Sequence, residues 1–137
     1  MGASKKILVI EDSEASIHLI QSYLQKAGYQ TVVAKTGFTG LSAVRDAKPD
    51  LIVLDIMLPD MGGHKICRMV KFDKKLSHIP VVVWTSRDTE QDAETAKQCG
   101  ADAFVVKTTR IEVLIEVIGK LLEKTEQKEQ QEQKENA

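Results

Sequence analysis

Five polar side chains close short apolar runs: the pair Glu11-Asp12 after residues 7–10, Asp55 after 51–54, Thr85 after 81–84 and Lys107 after 103–106. Singly, each has an ordinary role, as a helix-initiating carboxylate (Asp12), a turn residue (Asp55), a strand-end hydroxyl (Thr85) or a solvated amine (Lys107). If the runs lie side by side as parallel strands, however, three carboxylates meet on one edge, and such a cluster is unfavourable unless cations neutralise it. Lys107 supplies one cation. A hard divalent ion, Mg²⁺ (or Mn²⁺), would supply the other, since Mg²⁺ takes one or two carboxylates, keeps several waters and binds phosphate as well. Asp12 is the expected direct ligand, with Glu11 reaching the ion directly or through water, Asp55 as a third carboxylate and the backbone carbonyl of Met57 as an extra oxygen. A carboxylate beside such an ion can attack a phosphoryl group to give an aspartyl phosphate. Asp55 is the best nucleophile, because residues 56–63 that follow it carry Pro59 and the pair Gly62-Gly63, which demand a shaped loop. The ion and Lys107 would neutralise the equatorial oxygens, and Thr85 could hydrogen-bond one of them.

The elements that must position these groups are legible in the hydrophobic pattern. Residues 6–10, 30–34, 51–55, 80–85 and 103–107 are short β-branched runs, and three of them are apolar at successive positions rather than alternating, as strands buried on both faces of a parallel sheet are. Between the runs, apolar residues recur at helical spacing: Ile17, Ile20, Leu24 and Ala27; Phe38, Leu41 and Val44; Ile66, Met69 and Val70. Each stripe is expected to face a core. Ser13 is the expected N-cap of the first helix and Gly28 its stop. The fourth helix, 88–99, has only Ala93, Ala96 and Cys99 as apolar anchors. The last helix, from Arg110 to about Lys124, has a core stripe of Ile111, Leu114, Ile115, Ile118 and Leu122, while Val113 and Val117 fall off it with Leu121 between. These three are ordinary surface residues or a docking or dimer patch. The order is a (βα)₅, doubly wound, five-stranded parallel sheet, which places ligands at the carboxyl ends of the strands where strand order reverses.

Composition bounds the rest. A chain of 137 residues makes one domain, 1–122, with a polar Glu/Gln/Lys-rich C-terminal tail, 123–137, that has no large apolar residue to bury. Nineteen Lys and Arg against twenty Asp and Glu remove the basic footprint of a nucleic-acid binder. There is no run of apolar residues long enough for a membrane span or a secretory signal, so a cytoplasmic location is expected. Cys67 and Cys99 lack metal-ligand or redox spacing and are expected as buried apolar residues in a reducing compartment. The three histidines form no constellation.

In four ordered motifs the chain resembles the receiver domain of bacterial two-component response regulators, including single-domain receivers of the chemotaxis type. They are Ile7-Leu8-Val9-Ile10-Glu11-Asp12-Ser13, the stretch 49–63 around Asp55, Pro80-Val81-Val82-Val83-Trp84-Thr85-Ser86, and the stretch 100–107 ending in Lys107. The resemblance covers 5–122. It implies a flavodoxin-like fold of strand order 2-1-3-4-5 and an Asp55 phosphorylated by a histidine kinase or a phosphotransfer protein. It also implies that Thr85 is the switch hydroxyl and Phe104 the switch aromatic, with output through the fourth helix, fifth strand and fifth helix. Two residues past Asp55 and Thr85 stand Met57 and Arg87, at positions that in the family influence the attacking water, so slow self-dephosphorylation is expected. The family's usual proline after the lysine, often preceded by a cis bond, is replaced by Thr108, which leaves the geometry of that loop open.

Three rival readings meet opposing residues. A haloacid-dehalogenase-type phosphatase needs a second aspartate two residues after the nucleophile, where Met57 stands. A flavin or dinucleotide binder needs a Gly-rich first turn, where acidic Glu11-Asp12-Ser13-Glu14 stands. A pseudo-receiver that docks without phosphorylation is opposed by intact Asp12, Asp55, Thr85 and Lys107. A receiver cut from a longer regulator stays open, as does a phosphorylation-dependent homodimer. The downstream partner is not legible.

Overall fold

The computed structural model describes residues 4–136; residues 1–3 and 137, at the ends of the expected domain and tail, lie outside it. Five strands, β1 (Lys6–Ile10), β2 (Gln30–Ala34), β3 (Leu51–Leu54), β4 (Val81–Thr85) and β5 (Ala103–Val106), alternate with α1 (Glu14–Lys26), α2 (Gly37–Ala47), α3 (Gly63–Lys71), α4 (Glu90–Gln98) and α5 (Ile111–Glu135). All four strand pairings are parallel, in the order β2-β1-β3-β4-β5. This is the flavodoxin-like arrangement, with the reversal of strand order between β1 and β3.

Strand side chains alternate between two cores, which is why the runs are apolar throughout. Ile7, Val9, Val53, Val82 and Trp84 pack with Ile20 and Leu24 of α1 and Leu114 and Ile118 of α5. Leu8, Ile10, Ile52, Leu54 and Val81 face Val44 of α2 and Ile66 and Val70 of α3. Truncating any of the large members to alanine should cost about 2–5 kcal/mol. The Ser13 side chain accepts from the Ser16 N–H to start α1, and Gly28 stops it with φ +91, a conformation costly for any residue with a Cβ.

Three expectations about facing are corrected. Ala27 is the C-cap of α1 and is exposed, because the core stripe of that helix ends at Leu24. Phe38 is 68% exposed and Met69 44%, so neither lies in a core. The buried face of α2 is made by Gly37, Gly40 and Val44. A Cβ on Gly40 would come within 2.7 Å of the Ile10 Cδ1, so the helix approaches β1 through a residue with no side chain, turning Phe38 outward. On α3 the short buried face of Ile66, Cys67 and Val70 likewise leaves Met69 outside. The last helix also runs further than Lys124: α5 continues to Glu135, although Leu122 is its last buried residue. Glu, Gln and Lys are strong helix formers, and the Lys5–Glu126 ion pair (3.3 Å) and the Gln131–Glu135 bond (3.2 Å) support the extension. No helix among the described residues is long and apolar enough to cross a membrane.

Candidate functional site

The parallel register brings the predicted groups to one edge of the sheet. β1 and β3 are paired through Ile10 and Leu54, so Glu11, Asp12 and Asp55 emerge side by side where the two crossovers diverge. One oxygen from each of these three carboxylates lies within 4.8 Å of the others. Lys107 arrives from β5, on the far side of β4, and its backbone N–H donates to the Thr85 carbonyl (2.7 Å). Its ammonium bridges the two buried carboxylates, bonding Glu11 Oε1 and standing 3.0 Å from Asp55 Oδ2. The same nitrogen lies 5.0 Å from the Trp84 ring centroid, a cation–π contact that closes the site from the α1–α5 side.

The electrostatics follow from burial. Glu11 is 1% exposed, and that burial lifts its carboxyl above the ordinary value, against the Lys107 ammonium and the Ser13 N–H, which pull it down. The second Glu11 oxygen accepts from the N–H groups of Asp12 (2.9 Å) and Ser13 (3.1 Å), fixing the turn into α1. Burial works against the Lys107 charge, yet bonds to Glu11 and Asp55 outweigh it and hold its pKa above that of an ordinary lysine. Asp55 Oδ1 accepts from the Met57 N–H (3.0 Å), so both Asp55 oxygens have partners, whereas Asp12 is exposed at the mouth. Three clustered hard oxygen donors, two of them on the Lys107 ammonium and Asp12 without it, make a donor set that fits a hard divalent cation, with Glu11, Asp12 and Asp55 to hold it.

The loop after Asp55 is shaped as Pro59 and the glycine pair require. Met57 and Gly62 face each other in an antiparallel bridge, and the Gly63 N–H returns to the Ile56 carbonyl (3.0 Å). A Cβ on Gly63 would stand on the Asp55 carbonyl oxygen and 2.5 Å from the Ile56 Cα, so only glycine permits α3 to start this close to the acceptor strand. Asp60 ties the same loop to α2, accepting from the N–H groups of Gly37 (2.7 Å) and Phe38 (3.0 Å), which hold its carboxyl below the usual range. Thr85 is fully buried, and its Oγ1 accepts from the Arg87 N–H (3.3 Å), turned toward the β4–α4 loop. Phe104 is half-buried against Ile56, Val83 and Ala96. Among the described residues no peptide bond is cis, so Lys107–Thr108 is trans.

The structure brings Glu11, Asp12, Asp55 and Lys107 together, while Thr85 ends the intervening β4 with its carbonyl on the Lys107 N–H and its hydroxyl on the Arg87 N–H. Met57 is exposed beside the site, and Arg87 leans away to Asp92 Oδ2 (3.1 Å). Val113, Val117 and Leu121 lie on α5 away from this edge; Val113 is 39% exposed, and Val117 and Leu121 are half-buried against the core. Sequence reasoning missed a polar node at the start of α4. Asp92 is buried there, bonded to the Thr89 hydroxyl (2.5 Å) and Arg87, with His64 Nε2 of α3 at 4.0 Å. Burial lowers the His64 pKa, and neither ring nitrogen has a hydrogen-bond partner. The signal available was the N-capping spacing of Thr89 and Asp92, which puts a carboxylate in the first turn. Cys67 and Cys99 are both buried as free thiols, with Cys67 pushed up to about 12 by burial.

Over residues 7–119 the sequence matches the family described as response regulator receiver domain. The chain belongs to that family. It is 32% identical over 115 residues to the polar-differentiation response regulator DivK of Brucella ovis, covering 84% of this chain and 94% of DivK. By structure the receiver is similar to a CheY-like receiver domain protein from Methanospirillum hungatei, with TM-score 0.85 and 26% identity over 91% of this chain and 98% of that one. It is also similar to the BeF3-activated N-terminal receiver domain of Klebsiella pneumoniae RstA, with TM-score 0.78 and 32% identity over 86% and 98% of the two chains. This is a DivK-like receiver of two-component signalling, a family of phosphoacceptors that interact with histidine kinases or phosphotransfer proteins.

Proposed function

We propose that Asp55 accepts a phosphoryl group from the phosphohistidine of a histidine kinase or phosphotransfer protein and that the receiver then docks a partner through α4, β5 and α5. The observation that carries this reading is the Lys107 ammonium set between Glu11 and Asp55, residues far apart in sequence, beside three clustered carboxylates. An Asp55 oxygen attacks phosphorus, forming the O–P bond as the N–P bond breaks, and the imidazole nitrogen leaves with the electron pair and picks up a proton. A bound Mg²⁺ (or Mn²⁺), held by Glu11, Asp12, Asp55 and the Met57 carbonyl, would supply charge neutralisation of the phosphoryl oxygens. Lys107 exchanges part of its contact with Asp55 for a phosphoryl oxygen. Thr85 leaves the Arg87 N–H to donate to another, and Phe104 turns further into the space beside Ile56 and Val83. The small apolar anchorage of α4, Ala96 and Cys99, keeps the two packings close in energy, as a switch needs.

Met57, exposed beside the site, and Arg87, when it leaves Asp92 and swings toward the acceptor, set the lifetime by obstructing the water that would hydrolyse the phosphoryl group; smaller polar side chains at both should shorten it. Val113, Val117 and Leu121 form the partner surface and, in the phosphorylated state, a homodimer contact that sedimentation with a phosphoryl mimic would detect. Residues 1–122 act as the receiver unit and 123–137 as a solvated extension, and the supply of phosphoryl groups by kinases places the receiver in the cytoplasm. The test uses the lone tryptophan, Trp84, beside Thr85. Its fluorescence should change with Mg²⁺, change further with beryllium fluoride, and do neither in Asp55→Asn. A mimic-dependent change that persists in Asp55→Asn would overturn the assignment.

A further inference from the structure

Two of the corrected residues, Phe38 and Met69, mark a surface that the phosphoacceptor chemistry does not use. Phe38 of α2, Met69 of α3 and Phe72 at the end of α3 are 68%, 44% and 66% exposed, half of the large exposed apolar residues among those described. Between the helices runs a groove of about 290 Å³ lined by Leu41, Met69, Val70, Phe72 and Leu76, with Arg45 and Asp73 at its margin. Phe38, Leu41 and Arg45 share one face of α2 over about 10 Å, so the strip is two helical turns long, apolar in its first turn and basic at its end. A natural protein leaves such a strip open when something covers it.

The charge around the groove points to what does. Residues 65–75 carry Lys65, Arg68, Lys71, Lys74 and Lys75 against a single acid, Asp73, in a chain whose net charge is -1. Lys71 is occupied with Asp102 (3.0 Å) and with the carbonyls of Ser77 and Ile79. Lys65, Arg68, Lys74, Lys75 and, from α2, Arg45 remain exposed, with Asp46 the one exposed acid beside them on α2. Arg68 lies over the Phe72 ring at 5.6 Å, pairing a cation with the most prominent apolar feature of the rim.

We propose that the α2–α3 groove docks an acidic amphipathic helix of a partner protein, apolar side chains at i, i+3 or i+4 and i+7 filling it and carboxylates meeting the basic rim. The chain's own extension is not the occupant, because residues 123–137 contain no large apolar side chain. A second copy meeting it face to face would set basic rim against basic rim. The surface is separate from the proposed α4–β5–α5 output face, so a partner held here can stay bound in both states of the switch.

The probe is a synthetic amphipathic helix of about five turns, leucines on one face and glutamates on the other, titrated into the full chain labelled for amide NMR. Expected are saturable shifts confined to α2, α3 and residues 72–76, unchanged in Asp55→Asn, which separates this proposal from the phosphoacceptor reading. The same peptide with lysine for every glutamate should bind at least tenfold more weakly. Exposed-site variants Phe72→Ser with Met69→Ser, and separately Arg68→Glu, should each weaken the acidic peptide tenfold or more at unchanged far-UV circular dichroism, while Val113→Ser has no effect. Equal affinity for both peptides, shifts outside the groove, or indifference to the variants overturns the proposal. So does binding only to phosphatidylglycerol vesicles or to a single-stranded oligonucleotide, or self-association through this face.

Discussion

Replacing Lys107 with methionine keeps the apolar stem of the side chain, one atom short, and removes the charge that Glu11 and Asp55 share. Both carboxylates are buried, and the ammonium is 3.0 Å from Asp55 and bonded to Glu11, its own side chain only 17% exposed. Removing one partner of such a cluster costs about 3–5 kcal/mol if the remaining charges stay ionised. The fold has a lesser route, since Glu11 can take up a proton. From its ordinary value of 4.5 that costs roughly 3.4 kcal/mol at neutral pH, and burial, which already lifts this carboxyl, reduces the cost. The metal-free variant should therefore lose about 2–3 kcal/mol. Without the competing ammonium the carboxylates should bind Mg²⁺ more tightly than in the wild type, so saturating Mg²⁺ should return part of that loss, about 1.4 kcal/mol for each tenfold excess over the dissociation constant. Urea unfolding followed by far-UV circular dichroism measures both quantities; Trp84 is unsuitable because Lys107 touches its ring. A loss below about 0.5 kcal/mol, or Mg²⁺ stabilising the variant no more than the wild type, would refute the reasoning.

Three further perturbations address the supports of the site. Gly63→Ala forces a Cβ against the backbone of Asp55 and Ile56 and should cost about 1–3 kcal/mol while slowing phosphoryl uptake more than Gly62→Ala, where a Cβ meets nothing; equal effects at the two positions would contradict the close-approach argument. His64 is held below its ordinary 6.5 by burial, opposed by Asp92 and assisted by Arg87, so the unfolded chain binds the extra proton first. The stability this contributes is present above about pH 6.5 and lost as pH falls, and His64→Gln should flatten thermal stability between neutral pH and about pH 5. An unchanged slope would place the titration elsewhere. Asp60→Ala frees the Gly37 and Phe38 amides at the start of α2, and their hydrogen exchange should accelerate several-fold relative to amides of α1.

The strands and the acceptor edge were legible because parallel strands buried on both faces leave runs of Ile, Leu and Val ending where the chain turns polar. With that register the positions of Glu11, Asp55, Thr85 and Lys107 followed from counting. Helix facing was less legible. A stripe reading gives weight to large apolar residues, whereas α2 approaches the sheet through Gly40, which leaves Phe38 on the outer face. Asp92 escaped notice because a carboxylate early in a helix is ordinarily solvated; here Thr89 and Arg87 compensate its burial, and Arg87 is not a partner that spacing alone suggests. The extension of α5 to Glu135 was less legible because a segment with no apolar residue to bury reads at most as a fraying helix, whereas propensity and local pairs carry the helix on.

The measurement that bears most directly on the central claim is intact mass of the receiver after incubation with acetyl phosphate and Mg²⁺, with and without chelator, and with borohydride trapping to locate the modified residue. The account predicts one phosphoryl group per chain, dependent on Mg²⁺, mapped to Asp55 and absent from Asp55→Asn. No adduct on the folded wild type, or one that persists at full yield in Asp55→Asn, would contradict it.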